Sequence, residues 1–415
     1  MKMNSHSLGK LAFISALFAA PLSAHAGEAL FDAIKAGKLS IDERYRYEYV
    51  DQDGIAEEAN ASTLRSRVGW KSGSFYGLTL GVEFEAVTNV FGDEFNNTIN
   101  GKTQFPVVAD VKSHELNQLY MQYAGLPGTV AKIGRQVITV DNHRFVGHVG
   151  WRQNNQTFDA GMVKNTSIPG LTLTYGYIDK VNRIFGNDSP NGDWDSESHI
   201  LHAGYKIHGV GIVKGYGFLL DFDEDSPANS NASYGISLKG KREYAGYGLH
   251  YYAEYAHQED YGSNTLEYEA DYYHLALGVS KSGLKTTVGY EVLGADDDST
   301  GRFRTPLATL HKFNGFADKF LVTPENGLED FYVDVTYKVK NAPGQLSIFN
   351  GLLLKAQYHD FKSEEGSIDY GTEFDFYAKM PLRRGVYVEA KYANYNADQF
   401  ATDTEKFIMG VGWKY

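Results

Sequence analysis

The residues with the most distinctive chemistry in this sequence are charged side chains placed two positions apart. Residues two apart lie on the same face of a β-strand, so each pair would face one side of a sheet. Guanidinium groups keep their charge and bind carboxylates through paired hydrogen bonds. The spacing predicts either ion pairs between neighbouring strands or a surface that binds anions. The pairs are Arg44 and Arg46, Arg65 and Arg67, and Glu83 and Glu85.

A second set of charged residues lies in the segment 133–160, IGRQVITVDNHRFVGHVGWRQNNQTFDA. The segment begins and ends in predicted strands and is irregular between them. By position and alternation, its charged residues join the pairs above on one polar face. The complete set of residues predicted on this polar face, which would line the pore if the strands enclose one, is Arg44, Arg46, Arg65, Arg67, Glu83, Glu85, Arg135, Arg144, Arg152 and Asp159.

The sequence lacks the motifs of common hydrolases. It contains neither His-Glu-x-x-His nor Gly-x-Ser-x-Gly, the patterns that place a zinc ion or a serine nucleophile. His143 and His148 lie near Asp141, but no serine occurs in a supporting motif. Cysteine is absent, which excludes disulfides and thiolate ligands. The oxygen-rich segments 187–195 and 296–298 do not match the spacing of an EF-hand. We expect no enzyme, no metal and no cofactor.

A two-residue alternation runs through most of the chain. Leu39, Ile41 and Tyr45 alternate with Ser40 and Asp42, which is typical of a strand with one face in water. The pattern recurs in about eighteen segments of roughly 9–11 residues, the length that crosses a bilayer as a tilted strand. Short turns such as 124–128 alternate with long loops such as 138–156 and 295–326. The predicted fold is an all-β transmembrane antiparallel barrel with short periplasmic turns and long extracellular loops.

The composition supports a barrel. Aromatic residues make up 14% of the chain, there are 44 glycines, and the mean hydropathy is -0.38. After residue 27 no apolar run is long enough for a transmembrane helix. The last ten residues, KFIMGVGWKY, alternate fully and end on an aromatic residue, as expected for the final strand of an outer-membrane barrel. The net charge of -13 argues against a nucleic-acid binder.

The N-terminus predicts export. Lys2 and Lys10 precede the apolar stretch 11–22, and Ala24-His25-Ala26 resembles a signal peptidase site. We therefore predict a signal peptide at 1–26, a periplasmic lead-in at 27–38, and an outer-membrane β-barrel at 39–415 in a Gram-negative bacterium.

Three patches of sequence resemble the alginate-export family of outer-membrane proteins. They are the opening Arg-Tyr-Arg-Tyr-Glu at 44–48, the stretch 133–160 with its Gly-Arg-Gln and Trp-Arg-Gln-Asn motifs, and TPLATLHKFNGFADKF at 305–320. The resemblance implies an eighteen-stranded barrel. It also implies a pore lined by arginine and lysine for a polyuronate, a part that Arg44, Arg46, Arg65, Arg67, Arg135, Arg144 and Arg152 could play here. The interleaved carboxylates equally fit ion-pair ladders that order the lumen.

The leading functional hypothesis is a channel (porin) for passive diffusion of small hydrophilic solutes, with anions as a candidate class, since barrels of this size enclose water. Export of an acidic polysaccharide such as alginate is the second hypothesis, and a barrel enzyme or adhesin is the third. Expected partners are outer-membrane lipids, the barrel assembly machinery and the transported solute or polymer. Leu307, Leu310, Phe313, Phe316 and Phe320 have roughly helical spacing in loop 295–326. That loop would form either a constriction on the inner wall or an exterior lid.

Overall fold

The computed structural model describes residues 24–296 and 301–415. Its core is one sheet of 18 antiparallel strands, as the sequence predicted. A helix, α1 (Ala24–Lys35), precedes the sheet. The strands are β1 (Lys38–Gln52), β2 (Ala59–Lys71), β3 (Leu78–Asn89), β4 (Ser113–Leu126), β5 (Thr129–Gln136), β6 (Thr157–Asn165), β7 (Leu171–Asn182), β8 (Asp193–Ile207), β9 (Gly211–Leu220), β10 (Asn231–Tyr244), β11 (Tyr247–Asp260), β12 (Glu269–Lys281), β13 (Leu284–Leu293), β14 (Leu328–Lys338), β15 (Leu353–Lys362), β16 (Asp369–Pro381), β17 (Val386–Ala397) and β18 (Thr404–Lys414).

The first and last strands close the barrel. β18 pairs with β1 from Lys414, opposite Asp42, to Thr404, opposite Gln52. The other edge of β1 pairs with β2. Each of the 18 described strands thus has two hydrogen-bonded neighbours, and none of them has an unpaired edge. Closure of this kind satisfies the backbone amides without water, which a bilayer requires.

The two faces of the sheet differ in polarity. Large apolar side chains such as Leu80, Phe84 and Leu277 point outward and are exposed. Their sequence neighbours point inward, where Arg44 and Glu85 are buried. The alternation read in the sequence therefore separates a lipid-facing surface from a polar interior.

The connections differ in length at the two ends. At one end tight turns such as Ser282-Gly283 join the strands, with φ of 50° and 94°, as two-residue hairpins require. At the other end lie long connections, including 90–112, 137–156 and 294–327. By the rule for bacterial barrels, the first end is periplasmic and the second is extracellular.

Helical structure is limited. Among residues 24–296 and 301–415, no helix has both the length and the apolar character to cross a bilayer. Most of the predicted signal peptide lies outside the described residues, and the predicted lead-in is largely covered by α1. The helical spacing in loop 295–326 produces one 3-10 turn, Leu310–Lys312, in its described part. The rest of its described part is irregular, and its amides bond within the loop, to loop A and to side chains of the barrel wall.

Candidate pore constriction

Two long connections fold into the barrel rather than over it. We call residues 137–156 loop A and residues 301–327 loop B. They meet inside the barrel, where the amide of Gly147 donates to the carbonyl of Leu307 at 2.8 Å. The amide of Thr309 donates to the carbonyl of His143 at 3.0 Å. The two loops form one body within the lumen, so loop B is a constriction on the inner wall and not an exterior lid.

Arg44 on β1 holds loop A against the wall. Its Nε donates to Gln153 Oε1 at 3.0 Å, and its Nη1 donates to the carbonyl of Gly150 at 3.0 Å. Its Nη2 bonds to the carbonyl of Arg152. The side-chain amide of Gln153 also contacts β2, where Gln153 Nε2 donates to Thr63 Oγ1 at 2.9 Å. A strand guanidinium therefore supplies donors to loop carbonyls that would otherwise be buried without partners.

A network of buried ions fixes the centre of loop A. Arg152 Nη1 lies 3.0 Å from Glu48 Oε2, and Arg46 Nη2 lies 3.3 Å from the same oxygen. Asp110 pairs with Arg46 and accepts from the amide of Gln153. Burial alone would raise the pKa of Asp110, but Arg46 and Arg152 outweigh it and hold that pKa below its usual range. Each of the two arginines thus lies beside Glu48, and Arg46 also pairs with Asp110.

The other predicted lumen residues also face the interior and have partners. Arg65 lies 2.6 Å from Asp42, and Arg67 pairs with Glu85 and Asn155. The remaining pairs are Arg135 with Asp159 (2.7 Å), Arg144 with Glu291 (3.1 Å), and Glu83 with Asn117 (2.6 Å). These contacts have the form of ion-pair ladders. Arg44, Arg46 and Arg152 in addition border open cavities.

Loop B is anchored by a second ionic cluster around Asp318. Lys406 Nζ on β18 donates to Asp318 Oδ2 at 2.8 Å, and His311 Nδ1 lies 2.7 Å from Asp318 Oδ1. Burial would raise the pKa of Asp318, but Lys406 and His311 hold it well below its usual range. The carboxylate thus ties the loop to the final strand.

Backbone amides of loop B bind carboxylates on β16. The amide of Ala317 donates to Glu373 Oε1 at 2.7 Å, and that of Phe316 donates to Asp375 Oδ2 at 3.1 Å. Asn314 Nδ2 donates to Glu291 Oε2 at 2.8 Å and to Asp330 Oδ2 at 3.0 Å. These acidic residues of the wall therefore point at loop B and accept hydrogen bonds from it.

Two cavities lie on opposite sides of the joined loops. The outer cavity, about 470 Å³, is bordered by extracellular connections and includes Arg152, Arg183, Lys319 and Lys406. The inner cavity, about 490 Å³, faces the periplasmic end. Its cationic lining outnumbers its one carboxylate, Glu389, and consists of Arg44, Arg46, Lys312, Lys355, Lys379, Lys391 and Lys414. We call this the basic cavity.

The sequence reading missed several of these residues. Three of them lie at lumen-facing positions of regular strands: Lys355, Lys379 and Lys391. The two-residue alternation of those strands could therefore have predicted their inward direction. Asp318 and His311 lie in an irregular loop with no periodicity, and no pattern in the sequence places them beside Lys406.

Metal binding has no support in the described part of the chain. Between residues 24 and 296 and from 301 onward, no group of three or more His, Asp or Glu side chains is arranged to hold an ion. Of the oxygen-rich segment 296–298, only Asp296 is described.

The resemblance noted in the sequence is confirmed by comparison with known families. The alginate export family matches residues 37–168, which include β1 to β6 and loop A. No curated protein matches the chain.

Solved structures with the same architecture are numerous. OccAB4 of Acinetobacter baumannii is 15% identical, with a TM-score of 0.70 over 91% of this chain and 98% of its own. The outer membrane protein OpdK of Pseudomonas aeruginosa is 14% identical, with a TM-score of 0.68 over 91% and 98%. OccK9 (OpdG) of Pseudomonas aeruginosa is 17% identical, with a TM-score of 0.69 over 92% and 100%. The chain is thus an 18-stranded β-barrel of the Gram-negative outer membrane that resembles the alginate export family over residues 37–168 and shares its fold with Occ and Opd proteins.

Proposed function

We propose that this protein is a passive channel for small hydrophilic anions. The observation that carries the proposal is the basic cavity, which lies inside a barrel of a chain with a net charge of -13. Cations concentrated in the lumen of an acidic protein are not explained by overall composition. They indicate a local preference for negatively charged solutes.

The physical basis is the field within a narrow, low-dielectric channel. A cleft lined by one sign of charge raises the local concentration of counter-ions and their entry rate. Rings of lysine and arginine select anions in pores for the same reason. Lys355, Lys379 and Lys414 border the cavity from three separate strands, β15, β16 and β18. Each of them also has a carboxylate within 3.5 Å: Asp334, Glu389 and Asp42 respectively. Spread in this way, they offer successive weak contacts rather than one tight site. Conduction needs sites of that kind because the solute must also leave.

Export of an acidic polymer is the second candidate, and the family match over residues 37–168 is what favours it. The same stretch contains loop A, whose buried ions hold it across the lumen. A polymer chain would have to displace both loops at once. The geometry therefore favours small solutes over a polysaccharide.

The expected partners follow from the surface. The apolar outer face packs against membrane lipids. We further propose that β18, which alternates up to Trp413 and is followed by Tyr415, is the segment recognised by the barrel assembly machinery. We propose no enzymatic activity.

Purified protein in planar bilayers tests the channel directly. We expect stepwise conductance in KCl, and well-folded protein without any conductance would contradict the proposal. The triple variant Lys355→Gln, Lys379→Gln, Lys414→Gln should lower the permeability of chloride relative to potassium, because it removes charge without narrowing the lumen. A matched control changes three exposed lysines, Lys112→Gln, Lys340→Gln and Lys362→Gln, and should leave the ratio unchanged.

A further inference from the structure

The longest connection at the periplasmic end has an exposed apolar surface. It joins β14 to β15 through residues 339–352, whereas two-residue turns join β10 to β11 and β12 to β13 at the same end. Its residues Gly344–Phe349 form a short 3-10 helix, which we call the apolar turn. Leu346, Ile348 and Phe349 are 58%, 68% and 44% exposed there. Single exposed apolar side chains need no explanation, but three within four positions form a patch that marks an interaction surface.

The sequence around the apolar turn is basic. The whole chain has 52 acidic residues against 39 lysines and arginines, yet residues 335–359 contain no Asp or Glu. Residues 376–388, which include the turn between β16 and β17, contain none either. Lys340 is exposed in the first stretch, and Arg383 and Arg384 are exposed in the second. This part of an acidic protein therefore carries a local positive charge.

The two basic stretches lie side by side. β15 and β16 pair from Leu353, opposite Lys379. Beyond that pair, a Cβ built on Gly351 would lie 2.9 Å from the Pro381 ring. The cations at 383 and 384 therefore lie on the connection next to the apolar turn.

The apolar turn adjoins the lipid-facing wall and not the passage. The amide of Leu352 donates to the carbonyl of Phe349 at 2.9 Å. Leu352 has the same alternation as Leu354, which is 42% exposed on the outer face. The structure describes all of residues 339–352, and none of them borders the basic cavity. The turn thus lies where the apolar wall ends and the phospholipid headgroups begin.

We propose that the apolar turn inserts into the periplasmic leaflet of the outer membrane, and that Lys340, Arg383 and Arg384 bind the phosphate groups of anionic phospholipids beside it. Interfacial segments bury their apolar side about 5–10 Å into the boundary between headgroups and acyl chains. Basic residues next to them add attraction to anionic lipid. The proposal does not depend on which solute the channel conducts.

Two observations favour lipid over a periplasmic protein as the occupant of the apolar turn. The apolar surface continues the wall at Leu352 and Leu354, which already faces lipid, so the same solvent covers both. The charge of the flanking side chains is opposite to that of phospholipid phosphates. A protein partner would leave the patch in water whenever the purified barrel stands alone in a bilayer, and this difference can be measured.

A single fluorescent label reports the position of the turn. Because the chain has no cysteine, Ile348→Cys accepts one NBD group, and the protein is placed in nanodiscs of phosphatidylcholine and phosphatidylglycerol. The control label is at His208→Cys, in the exposed turn between β8 and β9. We expect phospholipids with a spin label high on the acyl chain to quench NBD at 348, and aqueous iodide to quench NBD at 208. If iodide quenches both sites equally and the lipid quenches neither, the proposal is overturned. If the labelled Ile348→Cys protein does not fold, Leu346→Cys is read in the same way.

Apolar side chains of the turn are tested with the label kept at 348. Leu346→Ser with Phe349→Ser should lower the ratio of lipid-quenched to iodide-quenched label by at least about 10-fold, because two large side chains no longer favour burial. Both positions are exposed, so the barrel itself should fold. An unchanged ratio would show that these side chains do not insert the turn.

The charges are tested separately. Replacing Lys340, Arg383 and Arg384 by glutamine should lower the ratio by about 5-fold for each charge in nanodiscs with phosphatidylglycerol, and much less in phosphatidylcholine alone. A matched control removes three exposed cations elsewhere at the periplasmic end, Lys206→Gln, Lys241→Gln and Arg242→Gln, and should leave the ratio unchanged. Equal ratios in the two triple variants would contradict the proposed binding of lipid phosphates.

Discussion

Single buried charges hold the inserted loops in place. Asp318 and Asp110 each lie among cations that compensate the cost of their burial. Such pairs add little when compared with apolar packing, but removing one partner leaves an uncompensated charge. Residues of this kind therefore determine whether the loops stay in the lumen.

Asp318→Asn should release loop B from β18. The loss of one partner from a buried pair costs about 3–5 kcal/mol. Because local opening exposes amides to exchange, hydrogen exchange at the Ala317 amide should accelerate by roughly 100-fold or more. Glu325→Gln, in the same loop but with a side chain 79% exposed, is the control and should have no such effect. Unchanged exchange in Asp318→Asn would show that the ionic cluster does not anchor the loop.

Acid should loosen loop A through His148. Burial, His143 and Arg67 lower the pKa of His148 to about 4. Its ordinary value is near 6.5, so the unfolded loop binds a proton before the folded loop does. The contribution of neutral His148 to the stability of loop A should therefore be fully present above about pH 6.5. It should be lost progressively as the pH drops toward 4.

Brief closures of single channels measure this effect. The frequency of these closures should rise as the pH is lowered from 6.5 to 4, and the rise should be smaller in His148→Asn. His208→Asn, in an exposed periplasmic turn, should behave as the unmodified protein. An identical acid response in all three proteins would exclude His148 as its origin.

At the level of strands, glycine and tyrosine form recurring cross-strand pairs on the inner wall. Gly289 lies opposite Tyr332, and a Cβ built on this glycine would overlap the tyrosine ring. Gly235 with Tyr216 repeats the arrangement. The glycine lets the ring lie flat along the neighbouring strand, which covers exposed backbone and fixes the register of the pair.

Gly289→Ala should therefore destabilise the barrel by about 1–3 kcal/mol through overpacking. The free energy of unfolding in urea, followed by the shift in electrophoretic mobility between folded and unfolded barrel, provides the measurement. Adding Tyr332→Ala should remove much of the penalty caused by the alanine. Gly215→Ala, where a Cβ would meet no atom within 4 Å, is the matched control. Equal stability of the two single variants would refute the pairing.

The strands could be predicted from the sequence and the inserted loops could not. Alternation over ten residues, as in β1 and β18, is imposed by lipid on one face and water on the other. The pattern depends only on residues close in sequence, so it can be recognised from the sequence alone. The inward direction of Arg44 and Arg65 followed from the same rule. The contacts of His311, Asp318 and Phe316 depend on residues far away in the chain, and an irregular loop carries no period. Helical spacing in loop 295–326 was therefore misleading.

In the molecule as a whole, charge is segregated. The chain is acidic, yet the basic cavity and the lining of the outer cavity are rich in lysine and arginine. Carboxylates of the wall, such as Glu373 and Asp375, accept hydrogen bonds from the backbone amides of loop B. The side chains that border the two cavities therefore include more lysine and arginine than carboxylate, and selectivity is a property of the assembled barrel rather than of its composition.

The reversal potential of the open channel under a tenfold KCl gradient tests this account most directly. With mobile anions favoured by the lumen, the potential should have the sign set by the chloride gradient. It should move toward zero in the Lys355, Lys379 and Lys414 triple glutamine variant. A potential of the sign set by potassium, in protein shown to be folded and conducting, would contradict the account.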